Sequence, residues 1–386
     1  MEKRTLTEKS IVGLVACDSY DQATVEQAVR KGIDLIGGLS RFVRAGEKIL
    51  LKPNVLVGSA PEKCVCTHPA VLRAAAIVAQ EAGAVLSCGD SSGVGGCALN
   101  MRLAGLKAVT DELGIPLADF SDGAVRHHPE ALLYHQFTIA NGVLAADGLV
   151  SLSKLKTHSL TRMTGAVKNQ FGCIPGMLKA QHHATLPDVY DFATMLVDLN
   201  TLLKPRLYIM DAIMAMEGNG PRGGDPRKIG VLLFSNDPIA LDATACRLID
   251  LNPEYVPTMQ PGEKSGLGTY HADNIEVRGA DIEQFICRDF KAVRKSPDRV
   301  KGGWLRAFVK QSVTPRPVID AGKCTQCGTC VRHCPVDPKA VDWQDGNKNK
   351  PPVYNYQRCI RCFCCQELCP ESAITVRSPL LGRLFS

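Results

Sequence analysis

Apolar and polar positions over residues 1–290 fall into two rhythms. The runs "IVGLVA" (11–16), "KILLKPNVLV" (48–57), "AVLSCGD" (84–90), "GLVSLSKL" (148–155), "RLYIMDAI" (206–213) and "IGVLLFS" (229–235) have the length and composition of buried strands. Between several of them, 69–82, 97–113, 190–203 and 237–250 carry helical patterns, and Gly83 and Gly114 stand where two of those helices need a left-handed cap. Strands alternating with helices predict an α/β domain, a mostly parallel sheet with flanking helices, over residues 1–287.

In such sheets ligands gather beyond the carboxyl ends of the strands. "LKPN" (51–54) puts Lys52 and Asn54 at one such end, and "GDSSGVGG" (89–96) offers Asp90, two serines and flexible backbone at another. A glycine-rich strand-to-helix turn cradles anions with its amides. This one matches neither the P-loop nor the dinucleotide fingerprint, and a plain glycine turn remains the alternative.

Charge changes the picture at "KLKTHSLTRMTGAVKNQFGC" (154–173), which holds Lys154, Lys156, His158, Arg162 and Lys168. No Asp or Glu occurs between Asp147 and Asp188. "SLSKLKTH" reads as a strand whose alternation puts Lys154, Lys156 and His158 on one face. "LTRMTGAVKNQFG" reads as the start of a helix, capped by Thr161 or Ser159 and carrying Lys168 and Asn169. Carboxylate or phosphate suits such a site; a solvated basic face is the competing reading.

The net charge of +6 over 386 residues is mild and does not argue for nucleic acid. No apolar run has the length of a spanning helix, and "MEKRTLTEKS" lacks the apolar stretch of a signal peptide, so a cytoplasmic location is expected. Seventeen cysteines make no sense there as disulfides, because that compartment keeps thiols reduced; they point to metal.

Residues 288–317 hold nine Lys/Arg against two acids and read as a basic linker, with a short amphipathic helix at "WLRAFVK" (304–310). Beyond it, over 318–376, Cys324, Cys327, Cys330 and Cys334-Pro335 spell C-x2-C-x2-C-x3-C-P, and Cys359, Cys362, Cys365 and Cys369-Pro370 repeat it. Paired CxxC motifs also serve zinc, but three-plus-one spacing repeated with proline is not a zinc-ribbon pattern. This region resembles the two-cluster bacterial ferredoxins across its length, and the resemblance implies two [4Fe–4S] clusters. The fourth cysteine of each run crosses over. One cluster takes Cys324, Cys327, Cys330 and Cys369, the other Cys359, Cys362, Cys365 and Cys334. Cys364 departs from the pattern and reads as a spare. Residues 318–386 carry nine Lys/Arg and six Asp/Glu, a balance suited to serving the same chain; 377–386 form a tail.

"LLKPN", "THPAVLRAA", "GDSSG", "LSKLKTHSLTRMTGAVKNQFGCIPG" and "IMDAIMAMEGNGPRGGDPRKIG" followed by "SNDPIALD" resemble the family called domain of unknown function 362, over roughly residues 10–280. The resemblance implies an α/β domain in an iron–sulfur protein and names no reaction. It favours a binding site over a solvated face for the basic strip.

A strand ending in Asp211 and then a glycine-rich loop with Glu217 make an acid/base corner. Asp237 reads as the cap of its helix. His182 and His183 are adjacent and unsuited to one ion. Cys173, beside the basic strip, becomes reactive if cations lower its pKa, and Cys64-x-Cys66 is a weak metal or redox hint. Taken together, the expected catalytic groups are His158, Lys156, Lys168, Asp211 and Glu217, and the expected anion-binding groups are Lys52, Asn54, His68, Asp90, Lys154 and Asn169. The expected function is an oxidoreductase passing electrons from the clusters to an anionic substrate or cofactor, supplied by an external ferredoxin, flavoprotein or reductase. A non-catalytic electron-transfer subunit docking a partner enzyme, and a redox-sensing binding protein, stay open beside it.

Overall fold

The computed structural model describes residues 9–176, 178–297 and 314–379. Ten strands build the first domain: β1 (Ser10–Ala16), β2 (Lys48–Pro53), β3 (Val85–Cys88), β4 (Gly123–His127), β5 (Gln136–Ala140), β6 (Gly148–His158), β7 (Arg162–Thr164), β8 (Leu207–Glu217), β9 (Asp225–Ser235) and β10 (Ile275–Gly279). Eight of them form one sheet in the order β10-β1-β9-β8-β6-β2-β3, with β7 on β6. The neighbours β3, β2, β6 and β8 run parallel, as do β1 and β10, whereas β9 is antiparallel to both β1 and β8. β4 and β5 make a separate hairpin.

Helices Gln22–Leu35 and Pro69–Glu81 cover one face with Val25, Val29, Val71 and Leu72, packing on Ile49, Leu51 and Phe234. Helices Val189–Leu203 and Pro238–Leu248 cover the other, with Phe192, Leu196 and Ile239 against Leu14, Tyr208 and Leu233. The expected α/β architecture is therefore present, buried on both faces as parallel strands require.

Three local expectations differ. The pattern at 97–113 is two helices, Cys97–Leu103 and Leu106–Glu112, separated where Gly105 takes φ 74°. Helix Gln22–Leu35 has no counterpart among the expected helices, although Asp21 caps it by accepting from Thr24 N and Val25, Ala28, Val29 and Ile33 mark its buried side. The helix expected from 159 onward starts only at Ala166. His158 Nδ1 accepts from the amides of Leu160 (3.0 Å) and Thr161 (3.3 Å), Arg162 takes φ 70°, and residues 162–164 fold back on β6 as an antiparallel strand.

The C-terminal module consists of β11 (Arg316–Ile319), β12 (Val341–Asp342), β13 (Val353–Tyr354) and β14 (Ile374–Arg377), with helices Thr329–Arg332 and Cys364–Leu368. β11 pairs with β14 and β12 with β13, each antiparallel. Gln366 Nε2 docks the module by donating to Asn219 O (3.0 Å), Asn219 Oδ1 (3.1 Å) and Gly220 O (3.1 Å); Arg222 donates to Leu368 O (2.9 Å). Phe290 is fully buried in the first domain's core, so the start of the basic segment packs on that domain. The helix expected at 304–310 and the tail beyond 379 lie outside the described residues. Among the described residues no helix is long and apolar enough to cross a membrane.

Candidate functional site

Three lysines stand at the carboxyl ends of the parallel strands, and none is more than 1% exposed. A buried ammonium is tolerated only where it is paired and hydrogen-bonded. Lys52 Nζ lies 2.8 Å from Asp90 Oδ1 and donates to Asn169 Oδ1 (3.0 Å) and Pro53 O (3.1 Å). The Asp90 carboxylate reaches it because residue 172 is glycine: a Cβ there would lie 1.9 Å from Asp90 Oδ1. Lys154 faces Asp211 across the β6–β8 pair, with Nζ 2.8 Å from Oδ2 and 2.9 Å from the Tyr20 hydroxyl. Tyr20 in turn donates to Asp211 Oδ1 (2.8 Å). Lys156 has no ion-pair partner among the described residues. It donates to Asn54 Oδ1 (2.7 Å) and Val65 O (2.5 Å), and burial pushes its pKa down to about 7. Most of the acid-free strip is thus answered from elsewhere in the chain.

Lys168 differs. It is half-buried, makes no hydrogen bond or close ion pair among the described residues, and lies over the Phe171 ring with Nζ 5.9 Å from its centroid. Together with Asn54, Asn169 and Lys179 it lines a cavity of about 100 Å³ whose opposite wall is the module's helix, through Cys364 and Glu367. Lys179 donates to Ser91 O (2.8 Å), to the Ser91 hydroxyl and to Ile174 O (3.3 Å), and burial lowers its pKa to about 8.

His158 closes the junction between the domains. Its Nδ1 accepts two amides, so the ring proton sits on Nε2, which lies 2.9 Å from Glu367 Oε1. Burial pushes the imidazole down to about 4, so it is neutral at pH 7. Burial also pushes the Glu367 carboxyl up, but His158 and Lys168 outweigh it and hold the group ionised. On the other side of His158 lies a cavity of about 500 Å³, bordered by Leu160, Val189, Arg361, Phe363, Pro297 and Thr314.

The cysteines gather as two sets. Cys324, Cys327, Cys330 and Cys369 surround one cavity, and Cys334, Cys359, Cys362 and Cys365 surround another. All are free thiols, and among the described residues no trio of His, Cys, Asp or Glu is arranged around one ion. Spread-out sulfurs fit a polynuclear cluster better than zinc, which draws each sulfur to about 2.3 Å. The cysteine-bearing loops repeat in backbone as well: Gln326 and Arg361, then Gly328 and Phe363, all take positive φ, at 53°, 65°, 71° and 61°. Amides of Ala340 and Ala373 point at the Cys334 and Cys369 sulfurs (3.4 and 3.3 Å), and the Tyr354 hydroxyl at Cys365 (3.2 Å).

Residues 49–247 match the family described as domain of unknown function (DUF362). The chain belongs to that family. Residues 316–370 match the 4Fe-4S dicluster domain, so this DUF362 protein carries a C-terminal iron–sulfur electron-transfer module. A thylakoid-associated protein of Synechocystis sp. is 36% identical over 263 residues, 68% of this chain and 81% of its own. The module alone is similar to the pyruvate synthase subunit PorD of Methanocaldococcus jannaschii (37% identity; 16% of this chain, 66% of that one). It is also similar to subunit I of the NAD(P)H-quinone oxidoreductase of Gloeobacter violaceus (27% identity; 22% of this chain, 44% of that one).

Of the groups expected to meet in this DUF362 domain, Lys52, Asn54, Asp90, Lys156, Lys168 and Asn169 do so, with Asn54, Asp90, Lys168 and Asn169 on the cavity wall. Lys154, Asp211 and His68 form a neighbouring cluster: His68 stacks on Tyr20 at 3.5 Å, its amide donates to Asp211 Oδ2 (3.1 Å), and its Nδ1 caps helix Pro69–Glu81. The structure takes Glu217 away from the cavity, where it accepts from Lys291 N (3.0 Å) and anchors the segment leaving the domain. Cys173 is corrected too: burial outweighs Lys52 and pushes its thiol up to about 12, the reverse of activation. Cys64 and Cys66 are buried with raised pKa values, chiefly through desolvation. Asp237 caps its helix as expected. Tyr20, Glu367 and Arg361 carry no signal in the sequence, and only their spatial neighbours give them meaning; Cys364, expected as a spare thiol, lies on the cavity wall.

Proposed function

We propose that this protein is an oxidoreductase in which two [4Fe–4S] clusters deliver electrons to a small anionic substrate or cofactor in the cavity between the domains. Cys324, Cys327, Cys330 and Cys369 would hold one cluster, and Cys334, Cys359, Cys362 and Cys365 the other, each supplying one-electron chemistry. The observation that carries the reading is the unpartnered Lys168 on a cavity whose far wall is the helix bearing Cys364 and Cys365. Lys168 neutralises charge that builds on a reduced anion. Asn54 and Asn169 orient it; Lys156 holds Asn54 by its carbonyl oxygen. His158 donates its Nε2 proton to Glu367, and Glu367 lines the cavity, so the pair would hold an ionised carboxylate on the cavity wall as a proton acceptor. The domain limits are taken as 1–287 and 318–376, joined by the basic segment, in a reducing cytoplasm.

A non-catalytic electron-transfer subunit is the second reading, favoured by the module's likeness to subunits of larger redox enzymes. Anaerobic purification, iron and sulfide counts, and EPR of the reduced protein during a screen of small carboxylates and phosphates separate the two. Reoxidation by one compound class, weakened in Lys168→Ala, supports the enzyme. Clusters indifferent to every small molecule support the subunit.

A further inference from the structure

The cavity of about 100 Å³ between the domains has two walls of opposite character: Lys168 and Lys179 stand on the α/β side, Glu367 and His333 on the module side. Not every charge there is available. Asp90, also on the wall, lies 2.8 Å from Lys52 Nζ, and Lys179 is held by Ser91 O (2.8 Å), the Ser91 hydroxyl and Ile174 O (3.3 Å). That leaves Lys168, which makes no hydrogen bond or close ion pair among the described residues.

The module's wall offers acceptors. Glu367 is 7% exposed, and His158 Nε2 lies 2.9 Å from its Oε1. His158 Nδ1 already accepts the amides of Leu160 and Thr161, so the ring proton is on Nε2 and Glu367 receives it as an acceptor. No described group donates to Glu367 Oε2. His333 adds to that polarity. Its Nδ1 lies 3.0 Å from Thr329 O, which can only accept, so Nδ1 carries the proton and Nε2 of the neutral ring is left as an acceptor.

A cation on one wall and acceptors on the other, too far apart to pair, give the cavity a direction. A ligand with the complementary pair of groups satisfies both walls. A plain dianion meets Lys168 but is repelled by the Glu367 carboxylate. Size narrows the choice further. About 100 Å³ is the share of roughly three waters in the liquid, at about 30 Å³ each, which suits an acid of two or three carbons and excludes a nucleotide.

We infer that the cavity recognises a small monocarboxylate with a hydrogen-bond donor, ammonium or hydroxyl, on the neighbouring carbon, its carboxylate against Lys168 and its donor against Glu367. The inference rests on the reading of this cavity as an anion site. Lys168 sets affinity for every carboxylate, and Glu367 sets the preference among them. Because the two residues belong to different domains, only the docked molecule holds both halves of the site.

The test is calorimetry on the full-length protein, reconstituted anaerobically, with acetate, glycolate, glycine and inorganic phosphate as probes. Wild type is expected to bind glycolate and glycine about tenfold tighter than acetate, and phosphate no tighter than acetate. Either of the two favoured acids may lead; their order tells hydroxyl from ammonium. Glu367→Gln keeps an oxygen for His158 but loses the charge, and is expected to cut the preference over acetate to about twofold, whereas Lys168→Ala weakens all three acids alike. Should Glu367→Gln lose iron, the wild-type ranking still decides. Acetate or phosphate bound as tightly as glycolate and glycine, binding confined to larger anions, or a preference untouched in Glu367→Gln of wild-type iron content overturns the inference alone. Absence of binding by all four probes and by the wider screen of carboxylates and phosphates overturns the anion-site reading and this inference with it.

Discussion

The two domains treat buried polarity in opposite ways. In the α/β domain the fully buried lysines find their answers inside the chain: Lys52 in Asp90, Lys154 in Asp211 and Tyr20, Lys156 in Asn54 and Val65 O. In the C-terminal module eight thiols face two cavities and Arg361 keeps three orphaned nitrogens. In the first region these three desolvated lysines each find acceptors within the domain. The second is unfinished as protein alone, since too few apolar side chains surround its cysteines to make a core: Val331, Val341, Ala373 and Ile374.

The largest effect expected from this contrast comes from removing metal. Chelation of iron under denaturing-free conditions should abolish protection of amide exchange across 318–376 while most of residues 10–280 keep theirs. Equal loss in both regions would break the comparison. Next in size is Asp211→Ala, which strands the Lys154 ammonium; a loss of about 3–5 kcal/mol in denaturant unfolding is expected, with iron content per folded molecule unchanged.

Acid should separate the regions through the α/β domain's histidines. Burial holds His182 at about 4 and His183 at about 3, below the ordinary 6.5. His183 packs on Phe192 and Phe171, with Lys168, Glu367 and His158 as its charged or titratable neighbours. Between about pH 6.5 and 4 the unfolded chain binds protons that the folded chain refuses, so stability rises with pH there and is lost as pH falls. The loss should reach a few kcal/mol by pH about 4, at about 1.4 kcal/mol per unit, and shrink in His183→Phe.

Smaller effects test the cavity. Lys168→Ala should weaken anion binding about tenfold, about 1.4 kcal/mol, measured by calorimetry, with a smaller effect on the melting temperature, because Lys168 makes no hydrogen bond among the described residues and acts on Glu367 only through space. Glu217→Gln is expected to leave anion binding alone and cost at most about 1 kcal/mol, through its bond to Lys291 N. A binding defect in Glu217→Gln would return that residue to the site.

Much of this was legible in one dimension. A parallel sheet declares itself by apolar runs, since strands buried on both faces cannot alternate. The cysteine spacing is local, so the iron–sulfur module was legible from the sequence. The strip at 154–173 was read as a place for an anion, and the cavity lies there, but most of its charge turned out to serve the interior. That outcome depends on partners 57 residues away for Lys154 and Asp211, and on Tyr20, more than a hundred residues upstream. The expected helix after His158 failed because one imidazole nitrogen accepts two amides and turns the chain back, a contact that side-chain periodicity does not encode.

Sequence alone determined the kinds of chemistry present: two runs of thiolates at cluster spacing, and cations at the ends of parallel strands. Both follow from residue type and short-range spacing, which survive without coordinates. The tertiary structure decided which charges remain available. Coulomb interactions and desolvation act through space, so Asp90 and Asp211 quench Lys52 and Lys154 while Lys168 stays open, and one repeat buries its arginine where the other exposes a glutamine.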